Sequence, residues 1–294
     1  MTIRDALAVA KAGLAAAGIE NPALDAALLL AEVLGIGRAS LIAAYGDPVE
    51  EAQLAAFDSL VKRRTAGECV AYILGKKEFH GLEFLVNSHV LVPRPDTETL
   101  VEAAIANLAA IAESMGENQG PRMLDLCTGS GAVAIAVKHR MPGTEVWATD
   151  LSPPALETAM ANAARLLPPD SVSFRCGNLF RALSDPGRPM FHLIVGNPPY
   201  VPSGEIPGLA PEVRAEPALA LDGGADGLDL VRTIVSQAPE HLFPGGTLML
   251  EADPRQMPEI ADLLGTAGFT NIWTHPDLSG MERVIEAQRF GTAT

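Results

Sequence analysis

A chain of 294 residues, 48% hydrophobic and 19% charged, is long enough to bury one large core and a second, smaller one, which points to two domains. Its formal net charge of −15 argues against naked nucleic acid as the main partner, because phosphate binding draws its affinity from Lys and Arg. Cys69, Cys127 and Cys176 lie far apart with no Cys-x-x-Cys pair, so neither a disulfide framework nor a zinc site is expected and a reducing cytoplasm fits. The opening MTIRDALAVAKAGLAAAG lacks a basic leader followed by an apolar stretch and cleavage site, and no run approaches the ~20 apolar residues of a membrane span. A soluble cytosolic protein with no membrane association is expected, and, as no stretch reads as a dimerisation seam, a monomer.

Residues 1–75 are rich in Ala and Leu, with apolar positions at helical spacing such as Leu24, Ala27, Leu28, Ala31 and Leu34. This reads as a small helical domain, either a bundle that buries its own core or a module that binds a partner. Asn21-Pro22 suits the start of one helix, with Asn accepting orphan amide hydrogens and Pro supplying the first-turn φ, and Gly35 suits its end. Residues 76–94 form a linker. From Glu78 to Val92 aromatic and β-branched residues surround Gly81 and the turn-like Asn87-Ser88, which suggests a β-hairpin. In VPRPDTE the two prolines flanking Arg94 hold an extended segment, and the acidic residues after Pro95 suit the N-terminus of a helix running to about Ser114. MGENQGP then reads as a surface loop.

The domain spanning residues 95–294 continues with short apolar strands alternating with helical stretches. The strands are RMLDLC, EVWATD, SVSFRC, FHLIVG, GTLMLE and TNIWTH, with helices near 131–140, 153–166, 226–241 and 255–266. This alternation predicts an α/β fold with a mostly parallel sheet covered on both faces.

Three stretches carry chemistry. DLCTGSG (residues 125–131) is a strand end and glycine-containing turn leading into the helix AVAIAVKHR. Glycines there let a ligand approach the backbone, and Asp125 can orient a cationic group; a purely structural tight turn is the alternative. A phosphate-gripping loop is disfavoured, because neither G-x-x-x-x-G-K-[ST] nor a complete G-x-G-x-x-G is present. Asp150, at the tip of the next strand, can accept both hydroxyls of a ribose, or instead cap the helix after Ser152. FHLIVGNPPY ends in Asn197, Pro198, Pro199 and Tyr200. The prolines stiffen the backbone and remove its donors, leaving carbonyls and the Asn197 side chain as acceptors for an NH2 group, while Tyr200 offers a surface for a flat amide or base.

With these motifs the chain resembles the class I (Rossmann-like) methyltransferases, and among them the HemK (PrmC) family of peptide chain release factor glutamine methyltransferases. The resemblance spans nearly the whole chain: GECVAYILGKKEFHGLEFLVNSHVLVPRPDTE, DLCTGSGAVAIA, the NPPY loop, EPALALDGGADGL and PDLSGMERVIEAQR. It implies methyl transfer from S-adenosylmethionine to the side-chain amide of the glutamine in a release factor's Gly-Gly-Gln motif, with the N-terminal domain and hairpin helping to grip that partner. The implied cofactor residues are Asp125, Cys127, Thr128, Gly129, Ser130 and Gly131, then Asp150 at the ribose, Asn178 and Leu179 near the adenine, and Asn197. The implied acceptor residues are Asn197, Pro198, Pro199 and Tyr200, with Asn197, Pro198 and Tyr200 catalytic. No metal is implied, and none of the six histidines is nominated as a base. Departures from the family pattern are Cys127 and Asp253 for the more usual Gly, Asp96 for Glu, Asn178 for Asp, and Met281-Glu282 for a basic-acidic pair. Alternative readings are glutamine methylation of a ribosomal protein, adenine methylation of nucleic acid, which NPPY would also suit, and a degenerate member that binds without turnover.

Overall fold

Residues 1–116, 120–183 and 189–291 are described by a computed structural model, so the expected loop at MGENQGP falls partly on residues 117–119, outside the described residues. The chain forms two compact units, Met1–Lys76 with Ala210–Ala215, and Lys77–Leu209 with Glu216–Thr294.

The first unit consists of helices α1 (Ile3–Ala16), α2 (Pro22–Leu34), α3 (Arg38–Ala43), α4 (Glu51–Thr65) and α5 (Val70–Leu74). Thr2 opens α1 with a reciprocal capping box to Asp5. Its core gathers Leu14, Leu29, Leu30, Leu41 and Phe57, each of which gains about 1.5–3 kcal/mol from full burial. Two expectations for α2 are corrected. Asn21 makes no side-chain cap bond, and the helix start rests on Pro22 instead. The buried face is Asp25, Ala26, Leu29, Leu30 and Ala31, whereas Leu24 is exposed. α2 is apolar almost all round, so spacing alone cannot select its inner face. The buried Asp25 marks it, because its carboxylate takes a 2.7 Å bond from the buried Arg64 of α4. Arg64 also reaches Glu212, at 2.5 Å, on the short helix α9 (Pro211–Arg214) that belongs to this unit.

The second unit opens with β1 (Lys76–Phe79) and β2 (Leu82–Leu85), joined by a two-residue turn at His80 and Gly81, both with positive φ. That geometry matches the twist of a tight hairpin. The turn thus lies at Gly81, and Asn87-Ser88 falls beyond the hairpin. A 3-10 turn (Pro95–Thr97) leads into α6 (Glu98–Ser114). Then come β3 (Arg122–Leu126), α7 (Ala132–Arg140), β4 (Glu145–Asp150), α8 (Pro153–Leu166), β5 (Val172–Cys176), β6 (Phe191–Gly196), α10 (Asp229–Gln237), β7 (Leu242–Glu251), α11 (Met257–Thr266), β8 (Phe269–Pro276) and β9 (Glu282–Arg289).

The seven longer strands form one sheet in the order β5-β4-β3-β6-β7-β9-β8. The pairings from β5 to β7 are parallel, and β9 runs antiparallel to both β7 and β8. Central strands such as β6, with Leu193, Ile194 and Val195 all fully buried, read as unbroken apolar runs because helices cover both faces. β9 is absent from the sequence reading, and β7 begins four residues before the expected Gly246, its early Pro-Gly-Gly masking the strand. The helix expected over 226–241 is α10 followed by a 3-10 turn, Ala238–Glu240. From β3 the chain order proceeds to β4 on one side and places β6 on the other, so the crevice for a ligand lies at the C-terminal ends of these strands.

Candidate active site

An open cleft lies at that switch point. Its wall includes Asp125, Cys127, Thr128, Gly129, Ser130, Asp150, Asn178, Leu179, Asn197 and Pro199. Gly131, Pro198 and Tyr200 stand behind it: Pro198 is buried and Tyr200 half-buried.

The loop after β3 holds itself together. Oδ2 of Asp125 accepts from the Thr128 hydroxyl at 2.6 Å and the Ala134 amide at 3.2 Å. Burial pushes the Asp125 carboxyl up to about 7, more than these two donors and the repulsion from Asp150 alter it. Gly131 has φ +81, and a Cβ there would lie 2.8 Å from Ile135 and 3.2 Å from Ala159, so α7 and α8 close on bare backbone. Cys127 adopts φ +57 with a side chain, a conformation costing roughly 1–2 kcal/mol, and packs against the neighbouring core; burial pushes its thiol up.

Asp150 does not cap α8, contrary to the alternative reading of it. One oxygen accepts from the Gly129 amide at 2.8 Å and the other from the Ser152 amide at 2.9 Å. The helix cap itself is Ser152, whose hydroxyl accepts from Ala155. Asp150 lies on the cleft wall with the Leu151 backbone as a further donor beside it, and burial raises its carboxyl above the ordinary value. Beside it, Leu179 is buried and Asn178 exposed.

The NPPY loop is supported from a distance. Nε2 of Gln256 donates to the Tyr200 carbonyl and to the Asp226 carbonyl, each at 3.0 Å. Asp253 and Gln256 form a capping box, so Asp253, unusual for this position, starts the turn that presents Gln256. Val201 exchanges backbone bonds with Leu221 and Gly223. A Cβ on Gly227 would sit 2.2 Å from the Tyr200 carbonyl oxygen, so DGGADGL meets the loop backbone to backbone. Burial keeps the Tyr200 phenol protonated by pushing it up.

Asn197 itself donates through Nδ2 to the Thr97 hydroxyl at 3.3 Å. Thr97 occupies the N-cap position of α6 yet makes no capping bond. Both side chains lie against Glu251, the last residue of β7, which is 1% exposed and whose Oε2 has no hydrogen-bond partner. Burial pushes Glu251 up to about 7.

The sequence reading missed part of the wall: His89, Val90, Leu91, Pro93 and Arg94 from the linker, Thr97 just after it, and Pro217, Leu219, Ala220 and Leu230. The buried Glu216 binds these two stretches together, accepting from the Val92 amide at 3.1 Å and pairing with Arg94. The hairpin is fixed to α8 by the fully buried Asn162, which exchanges bonds with the backbone of Leu85 and donates to the Ser130 carbonyl at 2.9 Å. The signal for the linker was the double proline of VPRPDTE; Asn162 gave none. Among the described residues, no group of His, Cys, Asp and Glu could hold a metal ion, and no helix is long and apolar enough to cross a membrane.

A switch-point cleft with Gly-lined β3 loop, acidic β4 tip and proline-stiffened β6 loop defines a class I methyltransferase. Comparisons with known proteins agree. A methyltransferase from Pyrococcus furiosus superposes with a TM-score of 0.51 at 17% identity, covering 79% of this chain and 98% of that one, which shows the fold. The PrmC N-terminal domain family matches residues 5–75 and the methyltransferase small domain family residues 107–210. The release factor glutamine methyltransferase of Deinococcus radiodurans is 42% identical over 99% of this chain and 100% of its own length. That of Bradyrhizobium diazoefficiens is 43% identical over 98% and 95%. The chain belongs to the PrmC family of release factor glutamine methyltransferases.

Proposed function

We propose that this protein methylates the side-chain amide nitrogen of the glutamine in the Gly-Gly-Gln motif of peptide chain release factors, with S-adenosylmethionine as donor. The observation that carries the reading is the Asn197 side chain on the wall of the same cleft as Asp125, Gly129 and Asp150. The donor set fits the cofactor. Asp150 offers lone pairs to two ribose hydroxyls, Asp125 a carboxylate to an amino group, and Gly129 open space where a Cβ would otherwise stand. Cys127, Thr128, Ser130 and Gly131 shape the loop, and Asn178 and Leu179 flank the adenine. When bound, the cofactor supplies an electrophilic methyl group on a sulfonium.

An amide nitrogen is a weak nucleophile, because its lone pair is delocalised into the carbonyl, so the protein contributes orientation and charge stabilisation. Asn197 Oδ1 and the Pro198 carbonyl accept from the glutamine NH2 and stabilise positive charge developing there. Fixing the nitrogen at a near-attack distance of about 3–3.5 Å supplies the proximity effect. Pro199 stiffens the loop and Tyr200 gives the planar amide a flat neighbour. No strong base is required, in keeping with a cleft whose single histidine, His89, is exposed at its rim. The helical unit, residues 1–75, and the hairpin grip the partner, the enzyme acts as a monomer, and the substrate places it in the cytoplasm.

The test is incubation with labelled S-adenosylmethionine and an unmodified release factor, followed by mass spectrometry. Methyl on the Gly-Gly-Gln glutamine, lost in Asn197→Ala, supports the reading. Transfer to ribosomal protein or to adenine-containing oligonucleotides, with none to the release factor, overturns it.

A further inference from the structure

β7 carries an acidic residue where nothing local favours one. Leu248, Met249, Leu250 and Ala252 are all 0–1% exposed, and Glu251 among them is 1% exposed. Burying a carboxylate costs stability unless its partners compensate, and here one oxygen, Oε2, has none. Its neighbours are specific: the side chains of Thr97, which lies just ahead of α6, and of Asn197, at the end of β6, with the charges of Arg283 and Asp96 also acting on it. Thr97 closes the 3-10 turn that runs into α6, its helical φ/ψ leaves its hydroxyl no capping bond to make, and it takes the bond from Asn197.

The polarity of these groups decides the orientation of Asn197. In its ionised form Glu251 only accepts, and a hydroxyl that donates to it is left as an acceptor towards a third group. On this side, therefore, Asn197 meets acceptors alone and must present its NH2, as its 3.3 Å bond to Thr97 shows. Its Oδ1 is then turned away from the cluster. Without the carboxylate the two ends of the carboxamide, nearly equal in shape, lose their distinction. We propose that Glu251 is a positioning residue that, with Thr97, fixes the Asn197 carboxamide with its oxygen rather than its NH2 towards the acceptor amide. This rests on the reading of Asn197 as the acceptor-holding group.

The experiment compares Glu251→Gln, Glu251→Leu, Thr97→Val, Asn197→Ala and the double variant Glu251→Gln/Asn197→Ala in the full chain. It reads kcat and KM with a release factor, S-adenosylmethionine affinity and thermal midpoint. Glu251→Gln keeps the shape but can donate towards Asn197, so kcat should fall about 30-fold, with KM and cofactor affinity within about threefold, since protein contacts elsewhere hold the partner. The midpoint should hold or rise as a buried charge is removed. Thr97→Val should lower kcat less, about fivefold. Glu251→Leu provides the same comparison if the Gln variant folds poorly. The double variant should be no slower than Asn197→Ala alone, because Glu251 acts through that residue.

A Glu251→Gln enzyme with kcat within twofold of the parent overturns the proposal, as does a parallel fall in midpoint, cofactor affinity and kcat, or additive losses in the double variant. If Asn197→Ala itself retains full transfer, it is the underlying reading of Asn197 that fails.

Discussion

Two loops at the C-terminal ends of neighbouring strands are built on opposite plans. The loop after β3 is held mainly by near neighbours in sequence: Asp125 accepts from Thr128 and Ala134, and Asp150, Ala159 and Asn162, from the next strand and helix, complete it. The loop after β6 depends on residues far along the chain, with Thr97 before it and Asp226, Gly227, Glu251 and Gln256 after it. A cofactor common to many enzymes is met by a local device. The NPPY loop, proposed to hold the acceptor, has a posture that the rest of the domain dictates.

This contrast gives separable variants. Asn197→Ala should lower kcat by two to three orders of magnitude, on the order of removing an oriented oxyanion-type partner, while S-adenosylmethionine binds within about threefold by calorimetry. Asp150→Ala should do the reverse, weakening cofactor affinity about 100-fold, equal to roughly 2.7 kcal/mol, with kcat at saturating cofactor much less affected. Gln256→Ala, which leaves every cleft residue in place, should cost about tenfold in kcat with no change in cofactor affinity; a cofactor defect would show the two loops are not independent.

Acidity distinguishes them less. Asp125 and Glu251, one behind each loop, both have folded values near 7 because of burial. The folded state thus keeps protons that the unfolded chain releases near pH 4, so stability falls as pH rises from about 4 to 7 and levels off above. Replacing Glu251 by Gln should reduce this fall by a few degrees of thermal midpoint between pH 5 and pH 8. The smallest effect is expected of Cys127→Gly: relief of the left-handed conformation, offset by backbone entropy, should leave unfolding free energy within about 1 kcal/mol by denaturant titration. A larger loss would mean the loop needs the thiol's packing.

The same contrast explains what could be read in advance. Parallel strands such as FHLIVG and the glycine turn of DLCTGSG announce themselves through local composition. β9 did not, because Glu286 lies in its buried run, paired at 2.7 Å with His275, and breaks the apolar pattern. Asn162, Glu216, Glu251 and Gln256 were illegible for a related reason. Each is polar, each is buried, and each gains its meaning only from partners distant in sequence. EPALALDGGADGL was recognisable as a motif, but its use, as a backbone cradle for the Tyr200 carbonyl, needed the fold. Likewise the apolar stripe assigned to α2 missed the face that Arg64 selects.

β9 is the latest strand in the chain, yet it lies between β7 and β8 rather than at the margin. During synthesis the Asn197 loop is therefore made long before its supporting sheet can close. Until β9 arrives, β7 and β8 present unpaired edges to the cell, and a chain arrested there would hold a recognisable cofactor loop beside an aggregation-prone sheet. The last strand to be translated is thus also the one that pairs β7 at Glu251, opposite Val284.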